Sequence, residues 1–581
     1  MRRLDLTEVG PLDLASRGPE EPARECVRLL DSWQISKLNS AIISIVGAPA
    51  TAEAALRVSV LRRLTPSSAD AFTIDTWIAS TGNFPTTVLA RSWWDAQLFR
   101  GYLDPKVGVI RIPNPLKTVA ARIAERLQRK QRWPRRRSQS STRPALDNSF
   151  IDQLPGVSVT GRQVAARPDA SVAMFLPKGL SYSASYSYDF WISRDAGSPI
   201  SNENLAFFSS QPTADPLGKA CIPYPETKTG LNTLVLGTKL LFKMRPWTLL
   251  RIRKHIVFNQ CATAARAQRL AGVFERLVPN ATLAVLSYEM QVPTDLVLGL
   301  KMCGIRTAAV NERPAIAFRS IMPFAVDLLL TAGPAYSKAV RDSGALSVSS
   351  TKEVGLWRTD LVFEARRRPR PTIMENSSRN SRSTVLVLPF DVATREDPAG
   401  YPLVTGVAGV NYFLDSIRKL ANLMRETTFV IRSKSNNWMW EPDCAEMATC
   451  LSDLPNVIAD TDFSTQGRSY ALAAYSDAVV ARPTSLVDEL LAVGTPCVIH
   501  DFSRNAKNIA RSSYPYLPRM IWAESQAELE CRLQSHLAEG GEAFRAKWEP
   551  HRQELFGDLC DGNVRGRVRE VFESLARPPL G

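Results

Sequence analysis

Residues 477–501 read DAVVARPTSLVDELLAVGTPCVIHD, and this stretch decides the fold. Ala478 to Ala481 is a short apolar run without alternation, as a strand buried on both faces requires. Arg482-Pro483-Thr484-Ser485 then makes a turn. Leu486, Leu490 and Val493 share one face of a helix over 485–493, Gly494 stops it, and Pro496 restarts the chain into a second apolar run, 496–502. Ser485 reads as the helix cap, with Asp488 placed for a return bond. Strand, turn, helix and strand make one unit of a parallel, doubly wound sheet. Such a turn aims the first N–H groups of the helix and two hydroxyls beyond the carboxyl edge of the sheet. That geometry binds phosphate, and Arg482 adds charge. The same residues also suit a plain capped helix.

The pattern repeats on both sides. Strands are expected at 384–390, 427–434, 456–460 and 477–481, with helices at 411–425 and 469–475 between them. Upstream, strands at 281–289, 306–314 and 325–333 alternate with helices at 260–277, 294–304 and 334–344. Residues 365–383, rich in Arg, Pro, Ser and Asn, interrupt the alternation and read as a linker. The expected division is a tail over 1–24, an α/β domain over 25–362, a linker over 363–383 and a second α/β domain over 384–581. Nearer the start, 26–33 reads as helix, while 41–49, 86–90, 107–113, 171–177 and 204–210 read as strands. Residues 118–133 read as helix. The aromatic stretch 180–201 reads as a pocket lining or a cover for a sheet edge. The basic insertion 129–144 reads either as a solvated linker or as a patch for an anionic membrane.

With 581 residues the chain exceeds a single core, and 45% hydrophobic content excludes global disorder. A net charge of +15 attracts nucleic acid, anionic lipid or phosphorylated substrates. No helix-turn-helix, zinc finger or RNP-type motif supports nucleic acid, and much of the basic excess falls in the linkers. The nine cysteines are scattered without Cys-x-x-Cys pairs, which suits a reducing compartment. The N-terminus lacks the apolar core of a signal peptide, and no apolar run is long enough to span a membrane. A cytoplasmic protein, peripheral on the inner face of the membrane, is expected.

Thr484, Ser485, Glu489, Gly494 and Pro496 resemble, in order, the donor-binding segment of GT-B glycosyltransferases of bacterial surface polysaccharides. That grouping includes Kdo transferases, polysialyltransferases and CDP-glycerol glycerophosphotransferases. Leu329–Gly333, followed by a helix and by Glu353-Val354-Gly355-Leu356-Trp357-Arg358-Thr359-Asp360, resembles the end of the family's first domain. The resemblance covers about 280–505. It implies two Rossmann-like domains with parallel sheets facing a cleft, the donor on the second domain and the acceptor on the first. Where the family often has His-Pro, this chain has Ile431-Arg432-Ser433-Lys434. Where it often has His-Gly, this chain has Asn311-Glu312-Arg313-Pro314.

The resemblance implies a sugar transferase acting on a nucleotide-sugar donor and a lipid-linked or polysaccharide acceptor; no further cofactor is expected, and no metal is required if the basic side chains named next neutralise the phosphate. The rivals are a CDP-glycerol-type transferase, a non-catalytic assembly protein and a basic nucleic-acid-binding protein. Arg432 and Lys434 at a strand end, with Arg482, are expected to neutralise the donor phosphate; as an alternative they make surface salt bridges. Glu489 is expected to hold a ribose or sugar hydroxyl. His500 reads more readily as a satisfied structural histidine than as a hydrogen-bond partner of the nucleotide, and Gly333 reads either as a close approach for a ligand or as a plain strand-to-helix turn. Glu312 and Glu289, and after them Asp195, are the candidate bases for an acceptor hydroxyl; the two glutamates also read as solvated loop carboxylates. Asp460-Thr461-Asp462 could hold a divalent cation, but reads more readily as a polar strand-to-helix loop, so no metal site is assigned.

Overall fold

The structure, a computed structural model, describes residues 26, 28–30, 35–62, 87–90, 100, 108–111, 168–176, 198–201, 204–209, 222–223, 230–244, 254–286, 293–311, 324–342, 347–389, 392, 407–433, 435–462, 467–503, 506–507 and 516–577. Two short strands, β1 (Thr87–Ala90) and β2 (Gly108–Arg111), pair in parallel with each other.

The first large sheet comprises β3 (Val172–Leu176), β4 (Leu205–Ser209), β5 (Ile222–Pro223), β6 (Leu283–Leu286), β7 (Arg306–Val310), β8 (Ala325–Thr331) and β9 (Ser347–Glu353). All seven are parallel, in the order β5-β4-β3-β6-β7-β8-β9. The winding reverses between β3 and β6. The central strands are apolar runs closed on both faces, as Leu283–Leu286 illustrates with four buried residues in succession. Strand β9, SVSSTKE, lies at the edge with its residues half-buried or exposed. Lacking an apolar run, it gave no strand signal in the sequence.

The second sheet holds β10 (Ser383–Leu388), β11 (Thr427–Ile431), β12 (Val457–Ala459), β13 (Ala478–Ala481), β14 (Cys497–His500) and, after a two-residue pair β15 (Phe502–Ser503) and β16 (Ala506–Lys507), β17 (Trp522–Ala523). Its order is β12-β11-β10-β13-β14-β17, parallel throughout, with the winding reversed between β10 and β13. Period-two alternation sorts its side chains into two buried clusters. Leu386, Leu388, Val479 and Ala481 face one way, and Val385, Val387, Ala478 and Val480 the other. Each fully buried Val or Leu contributes roughly 1.5–3 kcal/mol. The chain thus has the two Rossmann-like α/β units expected from the sequence.

The expected strand at 41–49 is instead the end of helix α1 (Ile35–Val46). Ile35, Leu38, Ile42 and Val46 recur at helical spacing and are buried, and Gly47, at φ 71°, ends the helix. The apolar run AIISIV masked that longer period. Buried Asn39 fixes the packing, because Gln260 Nε2 donates to its Oδ1 at 2.8 Å and Ser59 Oγ donates to Gln260 Oε1 at 2.9 Å.

The segment between the sheets is also structured. Helix α2 (Thr359–Arg366) runs into it, and α3 (Thr372–Asn380) lies within the stretch read as a linker. α2 packs against α4 (Arg468–Ala474) and α5 (Ser485–Ala492), joining the units. The Tyr475 hydroxyl donates to Ala365 O at 3.2 Å, and the Arg370 guanidinium lies 5.6 Å from the Tyr475 ring centre. One buried cluster runs from Trp357 and Tyr336 in the first unit to Leu491 and Trp548.

The chain end then returns to the first sheet. Helix α6 (Gln526–Phe556) is capped by Ser525, whose Oγ accepts from Glu528 N–H, while Glu528 Oε2 accepts from the N–H of Glu524, one residue before the cap. It bends at Gly540, at φ 80° and ψ 169°. Helix α7 (Val564–Ala576) begins where Asp360, at the end of the first unit, accepts the N–H groups of Val564 and Arg565 at 3.1 and 2.9 Å. It ends where Thr282 and Arg306, at the amino ends of β6 and β7, donate to Ala576 O and Leu575 O. α7 therefore runs antiparallel to the strands, like a crossover helix contributed by the distant end of the chain.

Candidate functional site

The carboxyl edges of the two sheets meet. Tyr336, after β8, packs edge-on against Tyr516, which precedes β17, with ring centres 5.6 Å apart. Arg358, after β9, reaches to 3.7 Å from Glu489 of α5. In the second sheet the reversal point lies at the end of β10. The backbone N–H of Arg432 donates to Val387 O and that of Arg482 donates to Leu388 O, so these arginines flank it on either side. In open α/β sheets this crevice receives the ligand.

Arg432 and Arg482 do not point their charges into the crevice. Each spans from its own strand end to that of the next strand outward. Arg432, 7% exposed, donates from Nη1 to Asp460 Oδ2 at 2.8 Å and to Asp462 O at 2.6 Å. Arg468 holds the other Asp460 oxygen at 3.0 Å and Asp462 Oδ2 at 3.2 Å. Burial pulls the Arg432 pKa down and Asp460 opposes the change, while the hydrogen bond to Asp460 raises that of Arg468. The Asp460-Thr461-Asp462 carboxylates are thus committed to arginines. Asn436, in the left-handed region at φ 49°, closes the loop by accepting from Ser433 N–H and donating to Asp460 O.

Arg482 is 4% exposed, and burial lowers its pKa to about 10, with Asp501 acting in the opposite sense. It remains charged at neutral pH. Its Nη1 lies 3.1 Å from His500 Nδ1, and His500 Nε2 lies 3.1 Å from Ser416 Oγ. Ser416 Oγ donates to Tyr412 O, so it accepts from His500 Nε2–H. Nδ1 is then bare and accepts from Arg482. Burial, and next the Arg482 charge, hold His500 neutral by lowering its pKa well below the ordinary value. Phe502 stacks on the ring at 3.7 Å. The sequence reading of Arg482 as a free turn cation is corrected, and of the two readings of His500 the structure shows the satisfied structural histidine: both belong to the core beneath the crevice.

A buried neutral histidine makes stability depend on pH. Its proton binds more readily in the unfolded chain, so stability is lost as pH falls below about 6.5, by up to ~1.4 kcal/mol per pH unit. His536, also lowered by burial, adds a second share. His500→Asn is expected to reduce this slope in urea melts between pH 7 and 5, and an unchanged slope would refute the assignment.

What faces outward at the crevice is the turn into α5. Thr484 is the N-cap residue, and neither it nor Ser485 makes a side-chain cap bond. Ser485 is the first helical residue, and Asp488 is buried and accepts from the Tyr516 hydroxyl at 2.9 Å. The capping box expected at Ser485 and Asp488 therefore does not form: the cap position falls on Thr484, and Asp488 is bonded by Tyr516. Thr484 and Ser485 are half-buried. Ser485→Ala is expected to change stability by less than about 0.5 kcal/mol in a denaturant melt. A loss near 1 kcal/mol would restore the cap.

Glu489 is 2% exposed and accepts from the Tyr470 hydroxyl at 2.6 Å besides facing Arg358. It ties the two units together, so its carboxylate has protein partners where a ribose hydroxyl was expected. Gly333 does let a backbone approach, but that of the chain's own end: a Cβ there would lie 2.5 Å from Leu555 O. Gly355, at φ +98°, meets Leu559 O likewise. Asn311 is buried and its N–H donates to Leu330 O at 2.8 Å. Glu289, Glu312, Asp195 and Lys434 lie outside the described residues, as does the basic segment 129–144. Among the described residues no helix is long and apolar enough to cross a membrane.

The sequence reading missed Asp501 as the counter-charge of Arg482 and Arg468 as a second arginine on Asp460. Asp460 and Asp501 each directly follow an outer strand, and an acid in that place beside an arginine after the neighbouring strand was the available signal.

No family model matches the chain, and a search of curated proteins finds no match. Among solved structures, the wall teichoic acid polymerase TagF aligns at 12% identity over 71% of this chain and 91% of its own, with a TM-score of 0.37. A UDP-forming α,α-trehalose-phosphate synthase from Burkholderia xenovorans aligns at 11% over 70% and 99%, with a TM-score of 0.37. UDP-GlcNAc 2-epimerase from Neisseria meningitidis, bound to UDP-GlcNAc, aligns at 13% over 54% and 82%, with a TM-score of 0.33. At these identities and scores the likeness stops at the general α/β layout.

Proposed function

We propose that the chain is a GT-B-like transferase that takes a glycosyl group from a nucleotide-activated donor, with the donor phosphate on the turn Thr484–Ser485. The observation that carries this reading is the placement of that turn. It opens a helix at the β10/β13 reversal point, with Thr484 as the N-cap and Ser485 as the first helical residue, and the carboxyl edge of a second α/β unit stands opposite. The helix dipole contributes about 0.3–1 kcal/mol toward an anion when exposed and up to ~2 when partly buried. Because Arg432, Arg468 and Arg482 are balanced by Asp460, Asp462 and Asp501, the amides and hydroxyls carry more of the binding than the sequence suggested. Lys434, next to this edge in sequence, is proposed as an added phosphate contact.

In the transfer, the bond between the sugar's anomeric carbon and the phosphate oxygen breaks and the nucleotide leaves with the bonding pair. The acceptor hydroxyl oxygen bonds to that carbon, and its proton passes to a carboxylate, for which Glu312, Glu289 and Asp195 are proposed. A polysaccharide or lipid-linked acceptor against the first unit, on the inner face of the cytoplasmic membrane, completes the reading. The test is nucleotide release from CMP-, CDP-, UDP-, GDP- and dTDP-linked sugars and CDP-glycerol, paired with thermal shift. A true donor at about 100 times its Kd adds about 2.7 kcal/mol of stability. Stabilisation by CDP-glycerol alone would replace sugar transfer with glycerophosphate transfer. No stabilisation by any donor would overturn the reading.

A further inference from the structure

The opposite, amino edge of the second sheet carries a cavity of about 1100 Å3. It opens at the starts of β10, β11, β13 and β14, and so lies about a strand's length, roughly 15 Å, from the Thr484–Ser485 turn. Arg366, Arg382, Arg425 and Arg545 line it, and among the described residues none of the four is ion-paired with a carboxylate. The carboxylates in the lining are Glu426 and Asp477, and Asp477 already accepts from Thr384 N–H at 2.7 Å. Glu539, close by on the kinked helix, is held by Lys547 and Ser535.

Two of these arginines share the lining closely enough for their charges to interact. The Arg366 pKa is lowered by burial and then by the positive charge of Arg545. Like charges brought together on a rim gain from an anion placed between them. The stem of Arg545 is fixed by Gly494: a Cβ at that glycine, whose φ is +72°, would lie 2.6 Å from Arg545 Cγ. The bend at Gly540 and Gly541 restarts the helix at the same cavity, adding the positive end of its dipole.

The floor is different. Thr495 is 4% exposed and its Oγ1 has no hydrogen-bond partner among the described residues. His536 is 9% exposed and its Nε2 also has none, while the ring bonds the Cys497 backbone. Burial keeps His536 neutral, so Nε2 is an acceptor. Both residues line the cavity. A buried hydroxyl and a buried bare ring nitrogen lining one cavity suit a ligand hydroxyl, which can accept from the first and donate to the second.

We propose that this cavity binds an organic phosphate bearing a free hydroxyl, with the phosphate between Arg366 and Arg545 and the hydroxyl on Thr495 and His536. The site is separate from the donor turn and does not depend on the transferase reading. The probes are inorganic phosphate and glycerol 3-phosphate, titrated by calorimetry at low ionic strength, with phenylglyoxal labelling of arginines read by mass spectrometry to locate the bound anion. Glycerol 3-phosphate is expected to bind more tightly than inorganic phosphate and to protect Arg366 and Arg545 from labelling. The double substitution Arg366→Met and Arg545→Met keeps the aliphatic stems and is expected to weaken both ligands at least about tenfold. Thr495→Val is expected to weaken glycerol 3-phosphate several-fold and leave inorganic phosphate unchanged. Vesicles of phosphatidylglycerol present the same headgroup chemistry: protection of Arg366 and Arg545 by vesicles but not by glycerol 3-phosphate would identify a lipid source. Absence of protection by every probe, or equal affinity in the double methionine variant, would overturn the site.

Discussion

Arg482→Met is expected to destabilise the fold by about 3–5 kcal/mol, read as a shift in the midpoint of urea or thermal unfolding. Methionine fills most of the volume, so the loss reports the charge and the hydrogen bond rather than a cavity. Without the guanidinium, Asp501 stays 3% exposed with its counter-charge removed, and His500 Nδ1 loses its donor. Removing one partner of a buried pair costs more than the pair itself contributes, because the remaining charge is stranded. Nucleotide affinity in the variant, measured where it remains folded, is expected to change much less than stability. A stable variant with abolished nucleotide binding would show instead that Arg482 reaches the ligand.

Asp360→Ala is the second large effect, expected at about 3 kcal/mol. Asp360 is 2% exposed and gathers three donors, the N–H groups of Val564 and Arg565 and the Arg565 Nε at 3.3 Å. It caps α7 from another unit of the chain, so its loss combines a missing cap with an under-paired Arg565. Hydrogen exchange should rise over 564–576 more than over β10–β14. Asp360→Asn, which keeps an acceptor oxygen, should recover part of the loss. Uniform destabilisation with no local excess over 564–576 would deny that Asp360 anchors the returning helix.

What the sequence made legible follows from range. Ala478–Ala481 and Leu283–Leu286 announce themselves because a strand covered on both faces needs only apolar neighbours in sequence. The edge strand Ser347–Glu353 is held by its ladder to β8 and carries no such run, so reading side chains alone passes over it. The returning end of the chain was out of reach for a different reason. Nothing near Gly333 or Gly355 in sequence names Leu555 or Leu559 as the backbone that needs the space. The arginines show the same limit: Arg482 in a turn reads as exposed until β14 is known to lie beside β13, which brings His500 and Asp501 to its side. The turn itself was placed at the right strand end, while its capping pattern was not: the cap falls on Thr484, and Asp488 is bonded by Tyr516, 28 positions away in sequence.

The claim that a nucleotide phosphate rests on the Thr484–Ser485 turn is tested most directly by amide hydrogen exchange with and without a stabilising nucleoside diphosphate. Amides at 484–488 are expected to become protected, and Thr484→Ala with Ser485→Ala should weaken the nucleotide about tenfold without lowering the melting temperature of the free protein by more than a few degrees. Protection confined to other segments, together with unchanged affinity in the double variant, would contradict the account.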